Sequence, residues 1–364
     1  MGTEGRLQAR TKKLHAMKKF LSAVATAALS LFAQAQNTDA PMATLQHGDQ
    51  TRVWMGVDAF IKAYEAAADS ADVITLSSGN FRVPNEISKS FRLYGAGCED
   101  DPATGTKATV LNSSLQFIPA DITNEDGETV KAGRKVNGLH LEGVQVPEIF
   151  LNRYEWTPVE NLTITKCKIK DCRFNIHSKN VTIKQSVITG QITASDYYLC
   201  YNNLLVINSY ITGFGTSSVS SESTVHIDHC IVKQQIPVTV LCTNSILYNP
   251  LRSGSTSKNN IFVGTASIGN GVQDSNNNWT GIANAGVYAA EGEDGTYAED
   301  KTFELKYPKK YVGTDGTEIG LYGGNYPWNK IPCTPRIMES NIDTKTSADG
   351  KLKVSIKVEA QTKD

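Results

Sequence analysis

The densest group of proton-moving side chains in this sequence is His226-Ile-Asp228-His229. Residues two apart on a β-strand share a face, so a strand here would stand His226 and Asp228 side by side. A histidine with an orienting carboxylate is the composition of a general acid–base pair. Lys184 takes the place of Asp228 two repeats earlier, about 10 Å away at ~4.8 Å per strand, and would supply a cation for an acidic sugar. His226, Asp228 and Lys184 therefore form the candidate catalytic set. Lys166, Lys168, His229 and Tyr210 form a candidate ligand-binding set around it, because residues 161 to 188 hold Lys166, Lys168, Lys170, Arg173, Lys179 and Lys184 against Asp171 alone. The same residues also suit a solvated polar strand face that does no chemistry.

The elements that would position them are written as a repeated phrase. Asn161 to Ile169, Asn180 to Ile188, Asn203 to Ile211 and Thr224 to Val232 share aliphatic second, fourth and ninth places and a Cys or Ser at the seventh. Weaker copies start at 138 and 239, and an echo follows at Asn259. Successive starts at 138, 161, 180, 203, 224 and 239 keep one register while the spacing varies, so constant strands are joined by turns of free length. That is a coil of short parallel strands, each too narrow to bury a core alone. The inward places switch from even to odd within each phrase, which predicts a bend near Lys166. Outward, the phrase places Thr163, Thr182, Leu205 and His226 in one column and Thr165, Lys184, Ile207 and Asp228 in the next. Leu205 and Ile207 then need a cover, for which the turn from Gly190 to Asn202 and the terminal hairpin are candidates.

Val57 to Ala68 carries Ala59, Phe60, Ala63, Tyr64 and Ala67 at helical spacing and is expected to plug the first coil. Residues 337–346 and Lys351 to Glu359 flank an Ala348-Asp349-Gly350 turn and predict a β-hairpin. The segments read as an upstream extension (1–16), a secretory signal (17–35), an N-terminal segment (36–56), a parallel β-helix (57–332, cap helix 57–68) and a hairpin tail (333–364). The signal combines Met17-Lys18-Lys19, an apolar run from Phe20 to Phe32 and Ala33-Gln34-Ala35. Residues 1–35 carry six of the 36 basic and one of the 37 acidic residues, leaving 30 against 36, net −6. Such a charge disfavours nucleic acid as a partner, and no later segment is apolar and long enough to span a membrane. A secreted, periplasmic or cell-surface location is expected.

The seven cysteines include no zinc-type spacing, and neither a metal nor a cofactor is expected. Cys167 and Cys230 share the seventh place three coils apart, about 14 Å, too far for a disulfide. They read as small packing residues. The sequons at Asn161 and Asn180 read as turn residues entering a strand.

The cap followed by Ile74-Thr-Leu-Ser-Ser-Gly-Asn-Phe81, the segment Ile87 to Gly97, the repeats, and Val312 to Gly324 together resemble the right-handed parallel β-helix proteins of the pectin-lyase-like superfamily. The closing Ile319-Gly-Leu-Tyr-Gly-Gly324 with the hairpin tail is similar to the ends of exported β-helix proteins of Bacteroidetes. The resemblance implies an all-β, right-handed parallel β-helix (solenoid) with an N-terminal helical cap and a C-terminal β-hairpin. It does not carry over the family's catalytic sets. Asn37-Thr38-Asp39, Asp100-Asp101 and Arg10-Thr11-Lys12 match polygalacturonase-type motifs but lie off the repeat strands, Gly-His-Gly is missing, and the outward columns hold one carboxylate where a calcium-dependent lyase needs several. Three readings follow: a non-catalytic exported scaffold binding glycan or a protein partner along its side, a polysaccharide lyase or hydrolase with an atypical site at His226, Asp228 and Lys184, or a structural adhesin.

Overall fold

The computed structural model describes residues 40–351 and 354–359, apart from segments 69–71, 119–121, 124, 131–135, 152–158, 175–177, 195–201, 216–222 and 343–349. The segment read as a secretory signal lies outside the described residues, as do Trp156, Tyr197, Tyr198, Cys200 and Tyr201. No helix among those described is long and apolar enough to cross a membrane.

The repeat builds a right-handed parallel β-helix. Its first sheet begins with the antiparallel hairpin β1 (Met42–His47) and β2 (Gln50–Met55), passes through β3 (Val73–Leu76), and then climbs one strand per coil through Arg92–Tyr94, His140–Glu142, Val159–Thr165, Lys179–Lys184, Asn202–Ile207 and Val225–Asp228 to Gln273–Asn276. The second sheet stacks the other half of each phrase, including Lys168–Phe174, Val187–Ala194, Tyr210–Phe214 and Ile231–Val232. Helix α1 (Ala59–Ala66) caps the first coil with Ala59, Phe60, Ala63 and Tyr64 buried. It covers apolar side chains that a terminal coil would otherwise expose. The C-terminal hairpin pairs Arg336–Ile342 with Val354–Glu359. The β1–β2 hairpin was not predicted from the sequence.

The phrase explains itself place by place. Leu162, Ile164 and Ile169, with their copies above and below, are buried and form one continuous core. The sixth place carries the bend: Lys166, Gln185, Asn208 and His229 all have φ between 44 and 50°. That left-handed turn aims each backbone N–H at the next coil, as in Lys166 N–H to the Lys184 carbonyl at 3.1 Å and Asn208 N–H to the Asp228 carbonyl at 3.1 Å. At the seventh place the Ser186 Oγ accepts the Cys167 N–H at 3.1 Å and donates to the Lys184 carbonyl at 2.8 Å. Ser209 and Ser245 repeat this bridge, so the column needs a short side chain with a polar atom. Cys167 and Cys230 are buried there with free thiols, and burial pushes the Cys167 thiol up to about 12. Ser186→Val strands the Cys167 N–H and is expected to cost about 1–3 kcal/mol, whereas Cys167→Ser should stay within about 1 kcal/mol; urea unfolding of both variants checks the contrast. The first place forms an asparagine ladder, Asn203 to Asn180 at 2.9 Å and Asn180 to Asn161 at 2.9 Å, which ends on Asn137, just before the phrase, at 2.7 Å from Asn161; each amide donates to the next.

The last coils and the chain after them build a second layer. In the eighth place Val187, Tyr210, Ile231, Ile246 and Ile261 stack in register and point outward from the second sheet. They are buried nonetheless, because Val287, Tyr288, Phe303, Leu305, Tyr311, Ile319, Leu321 and Trp328 fold back over them as a second core. From Val312 to Thr334 the chain then runs back down the corner of the solenoid. It bonds in turn to Asn259, Asn244, His229, Asn208 and Gln185, then to Glu142 and finally to Gly95.

Candidate functional site

The strap from Val312 to Thr334 decides which predicted side chains meet solvent. His226 and Asp228 lie on the outer face of the first sheet, both partly buried, as alternation requires. They do not touch directly. The Thr243 hydroxyl donates to Asp228 Oδ1 at 2.6 Å and accepts from His226 Nε2 at 3.2 Å, while Asn244 Nδ2 donates to the same Asp228 oxygen at 2.8 Å. Burial lowers the His226 pKa, partly opposed by the charge of Asp228. The ring is therefore the neutral, basic form at pH 7.

Lys184 does share the column of Asp228, with Ile207 between them. Its ammonium sits over the Tyr326 ring, 4.8 Å from the centroid. The three proposed catalytic groups thus fall into two sets: His226 and Asp228 are linked through Thr243, and Lys184 packs on the strap.

The ligand-binding candidates are placed differently again. Lys166 and His229 occupy the left-handed bend, which turns their side chains under the strap; both are buried. Lys166 Nζ is 3.8 Å from Glu142. The His229 ring lies between the Gly320 carbonyl at 3.3 Å and Asp315 at 3.2 Å. Gly323 passes so close that a Cβ there would fall 2.5 Å from the imidazole. Burial alone would raise the Asp315 carboxyl, but hydrogen bonds from the Thr317 N–H and hydroxyl and the neighbouring His229 hold it below the usual range. A ligand reaches these two residues only by displacing the strap. Lys168 stands in the eighth-place column between Gln145 and Val187 and pairs with Glu299 and with Glu99 at 3.5 Å. Tyr210 is buried, its hydroxyl accepting the Tyr297 N–H at 3.1 Å. It forms one wall of a cleft of about 420 Å³ with Thr189, Thr212, Lys233, Gln234 and Tyr297.

Sequence reasoning missed a second histidine–carboxylate pair on the same face. His140 Nε2 lies 3.0 Å from Glu142, which is fully buried and also accepts the Cys333 N–H at 2.6 Å. Burial would raise the Glu142 pKa, but these two hydrogen bonds and the Lys166 charge hold it below the ordinary value. Glu142 is thus a carboxylate at neutral pH, fixing the His140 Nε2 proton on its own side. Arg92 stands beside His140 in register and is exposed, and the Tyr94 ring lies 5.3 Å from the imidazole. The signal was present as His140-Leu-Glu142, which repeats the spacing of His226-Ile-Asp228 in an earlier copy of the phrase.

On the outer face of the first sheet the third-place column is accessible. Arg92, His140, Thr163, Thr182, Leu205, His226 and Leu241 run in register, every member partly or well exposed, with Leu241 at 40%. Among the described residues no group of His, Cys, Asp and Glu side chains could hold a metal ion.

No protein-family model, curated protein or solved structure matches this chain.

Proposed function

We propose that this chain is an exported, non-catalytic β-helix scaffold of the pectin-lyase-like kind that binds a glycan or a protein partner along the outer face of its first sheet. One observation carries the reading: residues 287–328 bury the eighth-place column of the second sheet, while the third-place column from Arg92 to Leu241 stays open. An extended polymer lying along the solenoid axis meets one side chain every ~4.8 Å, first the hydrogen-bonding Arg92, His140, Thr163 and Thr182 and then Leu205 and Leu241, which offer packing on either side of His226. Purified protein on a glycan array is expected to bind without turnover, and Leu241→Asp to weaken that binding at least tenfold. Unchanged binding in both Leu241→Asp and His226→Ala would remove this face from consideration.

The direct His140–Glu142 contact favours one further reading, a polysaccharide lyase or hydrolase. A carboxylate-backed imidazole beside an exposed arginine supplies a base and a charge clamp, complementing the proposal at His226, Asp228 and Lys184. In an assay for newly formed uronate ends or reducing ends, this reading expects product whose release is abolished by His140→Ala or by His226→Ala. Product that survives both changes argues against it.

A further inference from the structure

The two ends of the first sheet differ in chemistry. The last strand, Gln273–Asn276, reads Gln-Asp-Ser-Asn. At the other end β2 is exposed along its whole length except at Trp54, which packs on the core. Val53, Met55 and Val57 are three of the five large hydrophobic side chains exposed among the described residues, at 37, 39 and 46%. Natural edge strands are protected by charge, proline, a bulge or a covering element. In β2 only Arg52 offers such protection, and its pairing with β1 runs without a register shift.

The free edge can be assigned residue by residue. Gly56 N–H donates to the Pro41 carbonyl at 2.7 Å, and antiparallel pairs alternate between bonded and non-bonded. Trp54, Arg52 and Gln50 therefore bond back to β1, and the N–H and C=O groups of Thr51, Val53 and Met55 point away from it. The side chains of these three lie on the sheet's outer face, because Val53 pairs with Thr44 and Thr44 with Thr75.

We propose that a second copy of this chain pairs its β2 with this one, antiparallel, about a two-fold axis at Val53. In that register Val53 opposes Val53 and Thr51 opposes Met55, so the outward groups of both strands are satisfied by about six hydrogen bonds. On the other face Arg52 opposes Trp54 twice, a cation against an indole. The row of Val53 and Met55 becomes a doubled apolar patch. Stacking end to end in one direction would instead set this row against Gln-Asp-Ser-Asn, which offers no apolar partner. The symmetric contact closes after two copies, and the first sheets of both join into one.

Sedimentation velocity of the full chain at micromolar concentration is expected to show a dimer. Val53→Lys, which sets two ammonium groups face to face at an exposed position, should weaken it at least tenfold while the circular dichroism stays unchanged. The register is tested by Val53→Cys. Opposed Cα atoms of a bonded antiparallel pair are about 5.5 Å apart, within disulfide reach, so mild oxidation should give a covalent dimer that neither the unaltered chain nor Gln50→Cys gives. A monomer at all concentrations overturns the proposal, and so does a dimer indifferent to Val53→Lys. A monomer in which hydrogen exchange shows the Thr51, Val53 and Met55 amides protected would mean that another part of the same chain occupies the edge, which also overturns it.

Discussion

Replacing Phe303 by alanine is expected to lower the unfolding free energy by about 3–5 kcal/mol, the usual cost of emptying a buried aromatic site. The ring is 3% exposed and lies against Tyr210, Tyr288 and Tyr297, with centroids 5.7, 6.2 and 6.2 Å away. It joins the returning C-terminal chain to the outward column of the second sheet, so its loss loosens both. Phe303 also sits at φ 58°, a left-handed conformation that costs a side chain-bearing residue about 1–2 kcal/mol. Packing of the ring outweighs that strain. Alanine keeps the strain and loses the packing; glycine loses the packing and sheds the strain. Phe303→Gly should therefore be no worse than Phe303→Ala, the reverse of the usual order. Urea unfolding of the two variants reads this directly. A loss under about 1 kcal/mol for alanine would show that residues 284–328 do not unfold with the solenoid.

The second large effect is expected at Glu142. Its side chain is buried, it takes hydrogen bonds from His140 and from the Cys333 N–H, and Lys166, itself buried, lies 3.8 Å away. Glu142→Ala removes one partner of this buried ion pair together with the acceptor of two hydrogen bonds, a change that typically costs about 3–5 kcal/mol. The pH dependence has a definite sign. The folded-state pKa of Glu142 lies below its unfolded value, so its contribution is complete above the unfolded carboxylate pKa and is lost as pH falls through the folded one. The stability of the unaltered protein should fall on acidification below the ordinary carboxylate range, and Glu142→Gln should flatten that part of the curve. An equally steep curve in the variant would assign the acid sensitivity to other carboxylates.

How much of this was written in the sequence depends on which contacts are local to a coil. The inward places of the phrase, the bend at Lys166 and the seventh-place column were legible, because each coil lays the same residue over its copy and repetition exposes the rule. The outward position of His226 and Asp228 followed from alternation alone. What alternation could not give was the third atom between them: Thr243 comes from the next coil, and its hydroxyl takes the place of a direct contact. His140-Leu-Glu142 obeyed the same rule and was passed over, since its copy of the phrase is weaker; only the 3.0 Å contact separates it from a polar strand face.

The strap was the hidden part. It has no period, so nothing in residues 284–334 announces a partner, and the contacts it makes span 53 to 239 residues, as in Asn259 to Val312 and Thr334 to Gly95. A trace did exist in the eighth place, which turns from lysine at 168 to valine, tyrosine and isoleucine at 187, 210 and 231, apolar side chains on a face that alternation makes outward. The sequence by itself determined the solenoid, its register and its helical cap, because those rest on side-chain period and on residues stacked on their own copies. Only the tertiary structure decided that the eighth-place column is closed, that Lys166 and His229 are buried, and that the third-place column is left open, because those depend on where one aperiodic chain returns across all the coils at once.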